Sequence, residues 1–295
     1  MIGSGLGIFA SQQESAPSLL LDLYPSDTIL AQSVRKLRTA YAGNAEEVRV
    51  DEVGQPQFNI GFNNEDLDEA ALVANANGND AFLSNWYDQE NANNFLQSSA
   101  ANQAQVVNSG AIIKDGGKPS VDFSTIAVFL KTNGVVNLAA PTEMWLFMAL
   151  NITNNTNGQF IYVSSPNVSS NNNSIGIPIT NGSLRVIQNN NGSNVAIDCP
   201  ISTGFQILSI QMIGNQSNTN SCNVYSNGVL LSKTIDSSGT SPASYDDYEH
   251  YLGARVGGGV SYRSNISEVI LKTGNQSANR AGIEANMAAY YGITI

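Results

Sequence analysis

Charge and histidine are scarce in this chain of 295 residues. Charged side chains make up 13% of it, against about 25% in an ordinary soluble domain. Nucleic-acid binding needs clustered Lys and Arg, so a formal net charge of −11 argues against that class of partner. A catalytic triad or a multi-histidine metal site would have to rest on His250 alone, the single histidine. We therefore expect His250 to be a packing or surface residue.

Cysteines and long apolar runs are also lacking. Cys199 and Cys222 are too few for a disulfide framework, and we expect two free buried thiols, with a Cys199–Cys222 bridge as the alternative. No apolar stretch approaches the roughly 20 residues of a membrane span, so no span is predicted. Residues 1–18 have neither the cationic start nor the apolar centre of a secretion signal. They are predicted to be a flexible arm that a neighbouring protein orders.

The sequence contains many short β-rich runs separated by Asn and Gly. They follow one another closely from Pro119 onward, and Asn227-Gly228 between two alternating segments is a strong hairpin signal. This pattern predicts a mainly β fold with a jelly-roll β-sandwich over 121–295. The chain closes with SANRAGIEANMAAYYGI, which predicts a helix ending at Gly292, with an apolar stripe of Ile283, Met287 and Tyr290.

Residues 19–120 show a mixed α and β pattern instead. The runs LLLDLYP and EEVRVDEV predict strands, and in the second run Val48 and Val50 point one way. A helix is predicted in SDTILAQSVRKLRTAYAG, with an apolar stripe of Leu30, Val34, Leu37 and Tyr41. Asp66 and Glu69 form a D-x-x-E capping box that predicts a second helix running toward Gly78. The change in pattern near residue 120 carries no linker, so we expect 19–120 and 121–295 to form one continuous structure.

Two blocks of the sequence resemble known families. Over 19–123, the segments FNIGF, FLSNWYDQENANNFLQ and GKPSVDF resemble the catalytic-domain module of arabinofuranosidase B, whose pattern includes WYDQ and GKP. The remainder is similar to concanavalin A-like, laminin-G-like sandwiches, whose closing signature is matched at 267–270, 283–286 and 290–293. The resemblance implies a lectin-like fold. The same combination is frequent in structural proteins of bacteriophage virions, which implies a virion component.

The chain departs from the enzymes of that family. The sequence ENAN stands after YDQ where a Gly-x-Gly turn is usual, and at most one disulfide can form where fungal enzymes have several. None of the family's catalytic carboxylates lies on a matching motif here, so no catalytic residue is assigned. In WYDQ we interpret Trp86 and Tyr87 as core, and Asp88 and Gln89 as partners of backbone donors in a nearby turn.

The segment SYDDYEHY, residues 244–251, is the best candidate for ligand contact. Its tyrosines offer ring faces to sugars, and its acids offer acceptors for hydroxyl groups or for calcium. The predicted carbohydrate-binding residues are Tyr245, Asp246, Asp247, Tyr248 and Tyr251. The alternative is a polar loop whose tyrosines pack against the sheet edge or a subunit. No cofactor is predicted, and Ca²⁺ is left open.

These observations favour a non-enzymatic structural protein of a phage virion, used in capsid decoration, in a fibre or in the tail. We expect a homo-oligomer that contacts other virion proteins through the arm and that also touches host-surface glycans. One alternative is a carbohydrate-binding receptor module. Another is a glycoside hydrolase of the arabinofuranosidase type, which needs two carboxyl groups around a sugar. Its candidate acids are Asp88 with Glu90, or Asp246, Asp247 and Glu249.

Overall fold

The computed structural model describes residues 19–125, 127–155, 158–255 and 261–295; the predicted arm, 1–18, lies outside the described residues. Within those ranges the helices are α1 (Leu20–Leu23), α2 (Glu69–Ala76) and α3 (Ser277–Tyr291), with 3₁₀ turns at Ala100–Asn102 and Asn218–Ser221. The strands before residue 120 are β1 (Thr28–Ser33), β2 (Glu46–Val50), β3 (Gln57–Ile60), β4 (Phe62–Asn63), β5 (Asp66–Leu67), β6 (Ala81–Trp86), β7 (Phe95–Leu96), β8 (Ala104–Asn108), β9 (Ala111–Ile112), β10 (Lys114–Asp115) and β11 (Lys118–Pro119).

The second part of the chain supplies most of the long strands. They are β12 (Val121–Asp122), β13 (Leu130–Thr132), β14 (Glu143–Ile152), β15 (Gln159–Val163), β16 (Ser174–Thr180), β17 (Ser183–Asn190), β18 (Ser193–Pro200), β19 (Gly204–Ile213), β20 (Cys222–Ser226), β21 (Val229–Leu230), β22 (Thr234–Ser237), β23 (Tyr251–Leu252) and β24 (Asn265–Thr273). The predicted mainly β class, a jelly-roll sandwich with a few short helices, is confirmed.

The strands pair antiparallel in two long ladders. One ladder runs β20–β19–β14–β24–β1, and the other runs β22–β18–β17–β16–β15–β23–β13–β7. A third group, β3–β2–β6–β8, joins them, because β6 pairs with β7 and β8 pairs with β12, which continues to β24. Apolar side chains from all three groups form one buried cluster.

Strand β14 is buried on both of its faces. Met144, Leu146 and Met148 point one way into the cluster, whereas Trp145 and Phe147 point the other way and stack at 5.8 Å. Helix α3 packs on β14 and β19, so this second face is also covered. The continuous apolar run MWLFMAL is therefore explained by a strand enclosed between the sandwich core and a helix.

Two predictions in the first forty residues are wrong. Residues 20–23 form the single helical turn α1 and not a strand, because a short apolar run has no periodicity that separates the two. The predicted helix after Pro25 is instead β1, which pairs with β24 with Ala31 opposite Ile270. Leu30, Val34 and Leu37 are all buried, so their spacing reflects burial in an extended chain and not a helical stripe.

Other local predictions are confirmed. Helix α2 forms, although Asp68 and not Asp66 caps it, accepting from the Ala71 N–H at 3.0 Å. Helix α3 ends at Gly292, whose φ of 66° is left-handed. Asn227-Gly228 links β20 to β21, and both residues have the positive φ that a type I′ hairpin requires. Of the helices that the structure describes, none is both long and apolar enough to cross a bilayer.

Candidate functional site

The two outer tyrosines of SYDDYEHY face inward. Tyr245 is 0% exposed, and its hydroxyl donates to Gln188 Oε1 at 2.5 Å. Tyr251 is 4% exposed and donates to Glu249 Oε2 at 2.8 Å. The expectation that these two rings offer faces to a sugar is therefore wrong, because both rings are packed in apolar clusters. Burial raises the pKa of Tyr245 well above its ordinary value, so it stays a neutral hydrogen-bond donor.

The middle of the segment connects loops. Asp246 accepts from Asn173 Nδ2 at 3.0 Å, and Asp247 accepts from the Leu138 N–H at 2.7 Å. Tyr248 keeps a half-exposed ring, and its hydroxyl donates to the Asn172 carbonyl at 3.0 Å. The geometry is that of the alternative interpretation, a polar loop packed on the sheet. Of the five predicted residues, Tyr248 alone combines a ring with substantial exposure.

His250, which belongs to the same segment, is a packing residue. It is 0% exposed, and its Nδ1 is 2.6 Å from the Tyr162 hydroxyl. Burial lowers the pKa of His250 from 6.5 to about 3, so the ring is neutral at physiological pH. Cys199 and Cys222 are free and buried, and burial raises their thiol pKa values to about 11 and about 12. They are unreactive packing thiols.

The WYDQ element is a structural corner. Trp86 is fully buried, whereas Tyr87 is half-exposed and donates to Asn59 Oδ1 at 2.8 Å, so only the first ring belongs to the core. Gln89 accepts from the Leu37 N–H and donates to the Arg35 carbonyl, both at 2.8 Å. Asp88 accepts four backbone N–H bonds of 2.8–3.1 Å, from Ala31, Glu90, Asn91 and Asn93.

The acids of this corner are occupied by structural contacts. Burial raises the pKa of Asp88 above its ordinary value, although the four N–H donors oppose the shift. Glu90 forms an ion pair with Arg38. The Asp88–Glu90 pair therefore lies within a turn that it stabilises.

An open cavity of about 340 Å³ lies on the polar face of the β2–β6–β8–β12 sheet. Its floor is a single row of side chains across these strands. Arg49 is opposite Phe82, Phe82 is opposite Gln105, and Gln105 is opposite Asp122. Directly opposed residues in an antiparallel ladder point to the same face, so the four side chains line the cavity together. We call this cavity the row pocket.

Successive side chains along each strand point to opposite faces of the sheet, and this alternation places the row outside the core. Next to the row residues stand Val48, Val50, Leu83 and Val121, which are all 0% exposed. One face of the sheet is thus apolar and buried while the other is polar and open to solvent. The rest of the lining comes from flanking turns and from the residue before β8, and consists of Asp51, Gln55, Ala100, Ala101, Gln103, Thr125 and Val128.

Arg49 is held rigidly in the row pocket. Its Nε donates to Gln103 Oε1 at 2.7 Å, its Nη1 donates to Asp51 Oδ1 at 3.2 Å, and its guanidinium lies 4.8 Å above the Phe82 ring. The residue is only 6% exposed. Its Nη2 donates to no residue in the described part of the chain. This group is a fixed donor at the floor of the cavity.

The remaining polar atoms of the row are mainly acceptors. Asp122 accepts from the Ser124 N–H at 2.6 Å and from the Ser124 hydroxyl at 2.8 Å, one bond to each oxygen. Each carboxylate oxygen has two lone pairs, so each can accept once more. Gln105 donates through Nε2 to the Val107 carbonyl at 3.0 Å, and its Oε1 accepts from no described residue. The row pocket can therefore receive several hydroxyl donors.

Sequence reasoning missed the row pocket, although one signal was present. The alternation in EEVRVDEV predicts that Val48 and Val50 point the same way, which also directs Arg49 and Asp51 to the opposite face. What no local pattern contains is the register that aligns Arg49 with Phe82 and Asp122. The described residues hold no cluster of three or more His, Cys, Asp or Glu side chains placed to bind a metal ion.

The fold is similar to that of solved arabinofuranosidases. A mutant GH54 α-L-arabinofuranosidase soaked with 4-nitrophenyl α-L-arabinofuranoside matches with a TM-score of 0.67 and 14% identity. An arabinofuranosidase complexed with arabinofuranosyl-α-1,2-xylobiose matches with a TM-score of 0.63 and 13% identity. A GH54 α-L-arabinofuranosidase soaked with a cyclic sulfate inhibitor matches with a TM-score of 0.64 and 16% identity. Each match covers 91% of this chain and 64% of the other.

The likeness is one of fold. This chain spans just under two thirds of the length of those structures, and the identity is low. No family model matches the sequence, and no curated protein matches it significantly. The predicted resemblance to an arabinofuranosidase module is thus supported at the level of the sandwich architecture.

Proposed function

We propose that this protein is a non-enzymatic, lectin-like module that binds a glycan in the row pocket. The observation that carries the proposal is the alignment of Arg49, Phe82, Gln105 and Asp122 along one cavity, which combines a rigid donor, an apolar ring and free acceptors. Glycans are recognised by this mixture of groups. The solved structures with the same fold include complexes with arabinofuranosides, which supports a sugar ligand.

The absence of catalysis is part of the proposal. Among the acids considered for hydrolysis, Asp88 is bound by four N–H groups, Glu90 by Arg38 and Glu249 by Lys131. A glycosidase needs an acid and a base or nucleophile facing one sugar, and these contacts support structural roles for the three acids instead. The direct check is incubation with an aryl α-L-arabinofuranoside. We expect no release of the aryl group, and release that an acid-to-amide substitution abolishes would overturn the non-enzymatic assignment.

As a second function we propose that the module is a structural subunit of a virion. One observation favours an assembly contact: Val229 is 65% exposed and Leu230 51% at the tip of the β20–β21 hairpin, and Ile295, 49% exposed, lies beside the Gly228 turn. Mass spectrometry of purified particles should detect the chain in many copies. Its absence from particles would remove this second function and leave glycan binding unaffected.

Binding itself is tested on a glycan array with the full chain and two matched variants. Asp122→Asn changes the row pocket, whereas Asp246→Asn changes the SYDDYEHY segment by the same single atom. We expect the first variant to lose array signal and the second to keep it. A blank array for the unmodified protein would contradict the proposed function.

A further inference from the structure

We propose that the row pocket selects neutral sugars and excludes uronic and other acidic sugars; the proposal rests on glycan binding as the function. The charged side chains that line the cavity are one cation, Arg49, and two anions, Asp51 and Asp122. Asp51 already neutralises Arg49 at 3.2 Å. The field that remains for a ligand is that of the Asp122 carboxylate, and it repels anions.

The hydrogen-bonding inventory leads to the same class. A carboxylate or sulfate on a ligand is only an acceptor, and the donors that the row offers it are Arg49 Nη2 and the second N–H of Gln105, which stands directly opposite the Asp122 carboxylate. A neutral sugar presents hydroxyl groups, which both donate and accept. Its donors match the free lone pairs of Asp122 and the Oε1 of Gln105, while one of its oxygens can accept from Arg49. An acidic sugar carries the same hydroxyl groups, so what excludes it is the negative charge of its acid group in the field of Asp122.

The position of the groups sets the orientation of the sugar. Gln105 lies between Phe82 and Asp122 in the row, so the free acceptors are at one end and Arg49 is at the other. A sugar lying along the row would direct a donating pair of hydroxyls to Gln105 and Asp122, with its apolar edge near Phe82. The cavity volume is at the low end of ligand pockets, roughly 300–1,000 Å³, which suits a short glycan or one chain end.

The test is isothermal titration calorimetry on the full chain with matched neutral and uronic-acid oligosaccharides, at low and at high salt. We expect the protein to bind a neutral pentose or hexose oligosaccharide with an affinity that does not change with salt. We expect no binding of the uronic-acid series. Asp122→Asn should weaken the neutral ligand by roughly 10- to 100-fold, the effect of losing a hydrogen bond to a charged acceptor. Asp246→Asn is the matched control and should bind as the unmodified protein does.

The other outcomes distinguish a failure of this inference from a failure of the glycan-binding function on which it rests. Preferential binding of uronic acids, weakened by salt, would overturn the neutral class while glycan binding stands. Neutral binding that Asp122→Asn and Phe82→Ala leave unchanged but Tyr248→Ala reduces would move the site to SYDDYEHY and overturn the row pocket. Failure of the full chain to bind either series would overturn both the inference and the proposed function.

Discussion

Asp88 shows how a residue of a family motif can be structural. It accepts N–H groups from Ala31, Glu90, Asn91 and Asn93, and so connects β1 to the turn after β6. We expect Asp88→Ala to lower the free energy of unfolding by more than about 3 kcal/mol, because one buried and three partly buried donors lose their acceptor together. Asp247→Ala, which removes one acceptor at an exposed site, should cost about 1 kcal/mol. If urea unfolding shows the same loss of unfolding free energy for Asp88→Ala and Asp247→Ala, Asp88 is not the main acceptor of this turn.

Glu46 makes the free energy of unfolding depend on pH, and the direction of the dependence follows from its pKa. It is 1% exposed, Oε1 has no partner in the described chain, and burial raises its pKa from 4.5 to about 8. The folded state therefore retains a proton that the unfolded state has lost. This contribution to stability is complete below pH 4.5 and disappears as the pH rises through about 8.

Glu46→Gln should remove this dependence. Each unit of pKa difference corresponds to about 1.4 kcal/mol, so the unmodified protein should lose several kcal/mol relative to the variant between pH 4.5 and 8. His250 acts oppositely, since its lowered pKa adds stability as the pH rises from about 3 to 6.5. His250 is present in both the unmodified protein and Glu46→Gln, so its contribution cancels when the stability of one is subtracted from that of the other. Parallel curves of melting temperature against pH would show that Glu46 is not protonated in the folded state.

At the scale of elements, a buried ion pair connects the segment after β1 with β24 and α3. Arg35 donates to both oxygens of Glu268, at 2.7 and 3.0 Å, and the Tyr291 hydroxyl donates to the same carboxylate at 3.1 Å. Glu268→Gln leaves the buried guanidinium without its counter-charge, and we expect a loss of about 3–5 kcal/mol in the free energy of unfolding. Glu69→Gln, which breaks the exposed pair with Lys114, should cost less than about 1 kcal/mol.

A double substitution distinguishes two causes of the lost stability, the uncompensated charge of Arg35 and the loss of packing. Combining Glu268→Gln with Arg35→Met removes both charges, so part of the lost stability should return. If the double variant is less stable than Glu268→Gln alone, the uncompensated charge is not the cause. Glu268 and Tyr291 both lie in the closing signature that resembles laminin-G-like sandwiches, so this part of the resemblance corresponds to a stabilising network.

Local patterns predicted the elements whose partners are close in sequence. The Asn227-Gly228 hairpin and helix α3 follow from neighbouring residues, and both are present. Strand β1 was missed because its partner, β24, lies more than two hundred residues away, and that pairing overrides a helical spacing. The same limit applies to the sites. The sequence predicts Tyr245 at the surface, because no local feature indicates the buried acceptor Gln188 to which its hydroxyl donates.

On the scale of the whole molecule, the change in pattern near residue 120 does not coincide with a gap in the packing. Strand β1 pairs with β24, β8 pairs with β12, and the apolar cluster includes residues from both sides of the boundary. The ion pair between Arg35 and Glu268 also crosses it. Separating 19–120 from 121–295 would expose the β24 edge, leave Glu268 without its cation and open the shared core.

We therefore expect the full chain to unfold in a single cooperative transition, with calorimetric and van't Hoff enthalpies in agreement. A fragment of residues 121–295 should be unfolded or aggregated, because the exposed β24 edge and core surface favour association. Glu268→Gln in the full chain should shift the one transition without splitting it. Two resolved transitions, or a soluble fragment with native-like near-ultraviolet circular dichroism, would show that the two sections are independent folding units.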